Sequence, residues 1–224
     1  MKEFFDTVRP MFRRGRLNQS QVDGMQKIIE HGEGMPRSHL AYVLATVFHE
    51  TGQLMQPIRE GFCKTDAGAR RAVKGLFNKG IVSRNYALPD ENGNSFYGRG
   101  LVQITHKDNY AKWYIQDEPD KALDPEYALV ILFDGMIEGM FREGNNIFMI
   151  PGKNPTVIDF IKAREIINGD TRKNGRKIAD QAVVFYNALL LSETHKEEEE
   201  EEPHTLWCRL LDILGLGDHS DTGH

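Results

Sequence analysis

Glu50 is the residue of this chain best placed to move a proton. It follows the apolar run Leu40 to Phe48, in which Leu40, Val43, Leu44, Val47 and Phe48 fall at i, i+3, i+4, i+7 and i+8, the spacing of one helix face. At about 100° per residue Glu50 lies beside Val43 at the border of that stripe, whereas His49 points to roughly the opposite side and reads as structural. A carboxyl half inside a core loses hydration of its charged form, so its pKa rises and it can donate a proton near neutral pH. A lone glutamate at a helix border is ordinarily a solvated charge, so the reading depends on what the rest of the chain brings to it. His49-Glu50 also opens an HExxH metal signature, but Gln53 stands where the second histidine belongs. The only cysteines, Cys63 and Cys208, are far apart and form no Cys/His cluster, so neither a zinc site nor a disulfide framework is expected.

The elements that must position Glu50 are helices. Asn18 or Ser20 caps the first long one, with Val22, Met25, Ile28 and Ile29 facing inward and Gly32 or Gly34 at its end; Ser38 caps the helix carrying Glu50, and Gly52 ends it. Thr65-Asp66 opens another, with Ala69, Ala72, Val73, Leu76 and Phe77 as its inner face. Gly80, Pro89, Asn92, Gly93 and Asn94 break the pattern before Phe96, which predicts a long loop of the kind that often binds ligands. Thr105 caps a turn carrying Tyr110, Trp113 and Tyr114. Asp124-Pro125 starts a core helix running to Phe141, Asn154-Pro155 one ending near Asn168-Gly169, and a last helix runs from about Lys177 to Leu191. Strand signals are nearly absent, so the domain is expected to be mainly α.

Three segments downstream carry further chemistry: Tyr97-Gly98-Arg99-Gly100-Leu101-Val102-Gln103-Ile104-Thr105, then Asn109-Tyr110, then Ile166-Ile167-Asn168-Gly169. Glycines flanking Arg99 let backbone approach a ligand or take positive φ, and Tyr97 offers a ring for the face of a sugar. Gln103 and Thr105, two apart in extended chain, project to one side. Together with His49-Glu50-Thr51-Gly52, this order resembles the glycoside hydrolase family 19 catalytic domain, the chitinase fold also used by phage and bacterial lysozymes. The match runs from about Asn18 to Leu191.

The resemblance implies a lysozyme-like helical domain with a substrate cleft and an inverting reaction between two carboxyl groups, with Glu50 as the acid. In the phage lysozyme branch a second glutamate follows the His-Glu motif after about ten residues, which assigns Glu60 as general base; a surface ion pair with Arg59 or Arg13 is the plain alternative for Glu60. Thr51 matches a hydroxyl beside the acid, and Gln103 and Thr105 match positions that bind substrate and hold the attacking water. Asn168 matches the asparagine of an Asn-Gly-Gly segment that contacts substrate, although Asp170 stands in place of the second glycine. Arg164, one helical turn earlier, is placed to pair with a carboxylate; with Tyr97, Arg99 and Asn109 it completes the expected substrate-binding set. The implied activity is cleavage of the β-1,4 bond between N-acetylmuramic acid and N-acetylglucosamine, as by a phage endolysin. The alternatives are a chitinase and a non-catalytic wall-binding or virion domain. No cofactor is implied.

The composition is that of an ordinary globular protein, 40% hydrophobic and 27% charged over 224 residues. No run approaches a membrane span. The start, Met-Lys-Glu-Phe-Phe-Asp, lacks the apolar region of a secretory signal, so accumulation in the host cytoplasm and release to the wall, for example through a holin pore, is expected. Ten acidic residues from Glu193 onward face only Lys196 and Arg209, which leaves residues 1–192 a balance of +3. That surplus suits an anionic wall polymer and is too small to suggest nucleic acid. Residues 1–192 read as the hydrolase domain, 193–203 as an acidic linker containing Glu197 to Glu202, and 204–224 as a short amphipathic tail that docks on the domain or mediates self-association of an otherwise monomeric protein.

Overall fold

Local capping chemistry starts most of the helices. In the computed structural model, which describes residues 1–193, the chain is mainly α-helical. The acidic linker beyond Glu193 and the tail lie outside the described residues. Helix α1 (Lys2–Val8) precedes α2 (Gln19–His31), which begins in a reciprocal capping box between Asn18 and Gln21 and closes at Gly32. Helix α3 (Arg37–Glu50) carries the candidate acid. Thr65 caps α4 (Asp66–Asn78) through Gly68 N–H, and α5 (Lys107–Ala111) is a short turn. Asp124 caps α6 (Pro125–Ile137) through two N–H groups, α7 is Val157–Lys162, and α8 covers 176–193 of the described chain. The only regular sheet among the described residues pairs β1 (Ile58–Arg59) with β2 (Arg99–Gly100), antiparallel, with Ile58 opposite Gly100 and Arg59 opposite Arg99.

The main core wraps α3. Every residue from Ser38 to Phe48 is buried, so α3 is enclosed all round and not along one stripe. Phe48 packs edge-on against Phe12 and Phe185, at 5.0 and 6.0 Å between centroids, and Tyr42 stacks on Phe160 of α7. The polar residues of the first turn are satisfied by a distant loop: Ser38 Oγ donates to Pro151 O at 2.7 Å and His39 Nε2 meets Ile150 O at 2.8 Å. Ser38 is therefore not the cap; Pro36 occupies that position. A smaller cluster of Ala69, Val73, Ala87 and Tyr97, flanked by Cys63 and Tyr86, lies between α4 and the long loop.

Other boundaries differ from the sequence reading for local reasons. Helix α6 stops at Ile137, short of Phe141, because Gly139 turns the chain at φ +69° and Met140 N–H bonds back to Gly135 O. Thr156, in a capping box with Asp159, opens α7 in place of Asn154, and α7 passes into a 3₁₀ turn (Ala163–Ile166). Phe77 is exposed, as is Tyr114. At the C-terminal end of α3, Gly52 takes φ +55° and Gln53 N–H returns to Phe48 O at 2.8 Å. The chain then passes so close to α2 that Met55 O occupies the place of a side chain on Gly24. Gly24→Ala must therefore move backbone against backbone; we expect a loss of about 3 kcal/mol in urea unfolding, and an unchanged midpoint would disprove this packing.

Candidate functional site

Glu50 ends α3 with its side chain 15% exposed, facing the guanidinium of Arg164, which is 2% exposed. Arg164 sits on the 3₁₀ turn after α7, donates from Nη1 to Glu50 Oε1 at 2.8 Å, and donates from Nε to Asp170 Oδ1. Asp170 also accepts from Asn174 Nδ2. Two carboxyl groups thus share one buried cation, and their environments push them apart. Burial raises the pKa of Glu50 above its ordinary value, and Arg164 pulls it back only in part. Burial would raise Asp170 too, but hydrogen bonds from Arg164 and Asn174 hold its carboxyl below the usual range. Asp170 is therefore the more readily ionised of the two, and Glu50 keeps its proton to the higher pH. Burial, and then Arg164 and Lys177, push His49 down to about 4, so it is neutral at pH 7.

The Glu50 carboxyl opens into a cleft of about 270 Å³ that Gln103, Thr105, His106, Asn109 and Asn168 also line, with Phe141 and Ile167 as apolar walls. Of the residues expected at the site, Gln103, Thr105, Asn109 and Asn168 are thus brought to the acid. Gln103 does not reach it from extended chain: it takes φ +55° in a turn after β2, and its Nε2 donates to Ile58 O and Gly100 O, both at 3.0 Å. Thr105 does not cap α5, where His106 holds that position; its hydroxyl donates to Gln103 O at 3.0 Å. Asn109 Nδ2 donates to Thr105 O at 2.7 Å, and Asn168 Oδ1 accepts from Asp170 N–H at 3.1 Å. Each amide or hydroxyl is oriented by the backbone and keeps further bonding capacity for a ligand.

Glu60 is outside the set that lines the Glu50 cleft, beside Gln103. Its Oε2 accepts from Gly98 N–H at 2.8 Å, its Oε1 accepts from Tyr86 Oη at 2.5 Å, and its own N–H donates to Gly98 O at 2.7 Å. A Cβ on Gly98 would stand 2.9 Å from Gln103 Oε1 and 3.4 Å from Glu60 Oε2, so glycine is what lets the two side chains meet there. Arg59 pairs instead with Asp120 and Asp66, and among the described residues Glu60 forms no ion pair.

Four residues expected to touch a ligand prove to be framework. Thr51 is fully buried, with its hydroxyl donating to Val47 O and accepting from Met55 N–H. Tyr97 is fully buried: Arg99 covers its ring at 3.7 Å and its hydroxyl donates to Asp66, so no face remains for a sugar. Arg99, itself buried, donates to Ser95 O, Tyr110 Oη and Asp120 at 2.7, 3.1 and 2.8 Å. Arg164 is committed to Glu50 and Asp170. Conversely, His106 lines the cleft and was not anticipated; the sequence offered only its position after Thr105 as a signal.

Comparisons with family models, curated proteins and solved structures found no match to this chain.

The raised pKa of Glu50 fixes the sign of a stability effect. Its contribution is fully present below the unfolded-state value and is lost as pH rises through the higher folded-state value. Glu50→Gln has no such loss, so the melting temperature of the variant minus that of wild type should increase from pH 4 to pH 7. A constant or shrinking difference would show that the pKa is not raised.

Proposed function

We propose that this protein is a peptidoglycan hydrolase of the lysozyme-like, family 19 type, cutting the β-1,4 bond between N-acetylmuramic acid and N-acetylglucosamine. The observation that carries the reading is a buried carboxyl, Glu50, whose pKa burial raises, opening into a cleft whose other polar side chains are mainly neutral amides and a hydroxyl. Such a lining suits a hydroxyl- and acetamide-rich glycan, and a carboxyl poised to protonate the leaving oxygen is what hydrolysis of an acetal requires. Glu50 gives its proton to the glycosidic oxygen. Glu60, fixed by Gly98 N–H and Tyr86, takes the proton of a water beside Gln103, and the configuration at the sugar carbon inverts. Gln103, Thr105, Asn109 and Asn168 hold the strand in register. In this reading the protein is a phage-type endolysin that acts on the wall after release from the cytoplasm.

The test is mass spectrometry of products from purified peptidoglycan. Wild type should release muropeptides with reducing muramic acid ends, and Glu50→Gln or Glu60→Gln should slow release by about 10²–10⁴-fold. Reducing glucosamine ends would move the cut to the other bond. Cleavage of chitin oligomers alone would make the protein a chitinase, and binding without any cleavage would make it a wall-binding domain.

A further inference from the structure

His106 lines the same cleft as Glu50, and the hydrolytic step leaves it without a task. Its backbone is at φ 75° and ψ 141°, a region that glycine enters freely and that costs a residue with a side chain about 1–3 kcal/mol. The conformation is held from both sides: His106 N–H donates to Phe96 O at 2.8 Å, while its carbonyl accepts from Asn109 N–H at 3.0 Å to open α5. Glycine would serve this backbone better, so the imidazole is retained at a cost to stability.

The ring is oriented as well as tolerated. His106 also lines a second cavity of about 330 Å³ that contains Arg84 and Tyr86, and its ring meets the Tyr86 ring edge-on at 5.3 Å. Arg84 Nη2 lies 3.2 Å from His106 Nδ1. A guanidinium has donors only, so Nδ1 must be the bare nitrogen and the hydrogen of the neutral ring resides on Nε2. Among the described residues, no protein group accepts that hydrogen. The charged groups acting on the ring are Arg84, Asp108 and Glu60; burial first, then Arg84, hold the His106 pKa below its ordinary value, against the pull of the two carboxylates. The ring is therefore neutral at pH 7.

We propose that His106 is a substrate-binding donor, its Nε2–H bonding to a carbonyl or hydroxyl oxygen of an N-acetylhexosamine unit in the cleft, with Arg84 fixing the tautomer. The identity of the ligand rests on the hydrolase reading above. The residue then has one use for its strain: a glycine would relax the backbone and lose the donor.

The experiment uses the full chain carrying Glu50→Gln, so that glycan binds without being cut, and soluble glycan strands as the probe. Long-range ¹H–¹⁵N spectra should show the Nε2–H form of His106, and Arg84→Met should introduce the Nδ1–H form. In calorimetry, His106→Gly should weaken strand binding about tenfold, or about 1.4 kcal/mol, while its melting temperature stays equal or rises. His106→Asn, which tolerates positive φ and keeps an N–H donor, should recover most of the affinity. Unchanged affinity in His106→Gly would overturn the proposal, as would a melting temperature that falls with the affinity and is not restored by asparagine. Hydrolysis by the otherwise wild-type enzyme separates the two claims. Cleavage with an unaltered KM in His106→Gly removes this inference alone; His106-dependent binding without cleavage by wild type removes the hydrolase reading alone. Absence of strand binding by the Glu50→Gln parent overturns this proposal together with the reading it rests on.

Discussion

A buried guanidinium organises the cleft at the end of α3. Arg164 is almost fully removed from water, and an unpaired cation there would cost several kcal/mol. Its two acceptors come from different segments, Glu50 at the end of α3 and Asp170 after the 3₁₀ turn, so the end of the central helix and the 168–170 segment are tied through one side chain. The same pairing gives the carboxylate at position 170 its structural role. Asp170 takes part of the charge of Arg164 and so adds to the rise in pKa that burial gives the Glu50 carboxyl.

A second buried arginine plays the matching part on the other wall. Arg99 lies against the ring of Tyr97 and binds Asp120, Tyr110 and Ser95, which fixes β2 and the turn that follows it. That turn delivers Gln103 to the cleft, and the glycine before Arg99 delivers two hydrogen bonds that hold Glu60. The cleft therefore has a wall built on each arginine, with the buried Glu50 carboxyl on the Arg164 side. The polar groups that line the cleft are positioned by these arginines, and the arginines themselves are buried away from it.

This division explains what could be read from the sequence and what could not. Helix starts at Asn18, Thr65 and Asp124 were legible because a cap acts within three residues. The partial burial expected for Glu50 was legible from helical periodicity, although its side chain is in fact only 15% exposed. The enclosure of α3 on all sides was not, since the groups that satisfy Ser38 and His39 lie more than a hundred residues away. Tyr97 and Arg99 were read as ligand contacts because a Tyr-Gly-Arg-Gly segment is open to that use; the acids that bury Arg99 come from Asp66 and Asp120, distant in the chain. His106 escaped notice because a positive φ at a residue other than glycine leaves no local signature.

The central claim is that Glu50 protonates a glycosidic oxygen while a water held by Glu60 attacks from the opposite face. Its most direct test is proton NMR of soluble glycan strands during the first minutes of digestion, before the new reducing ends mutarotate. The account predicts α-configured new ends from wild type and no new ends from Glu50→Gln. Ends that first appear in the β configuration, or cleavage that continues undiminished in Glu50→Gln, would contradict it.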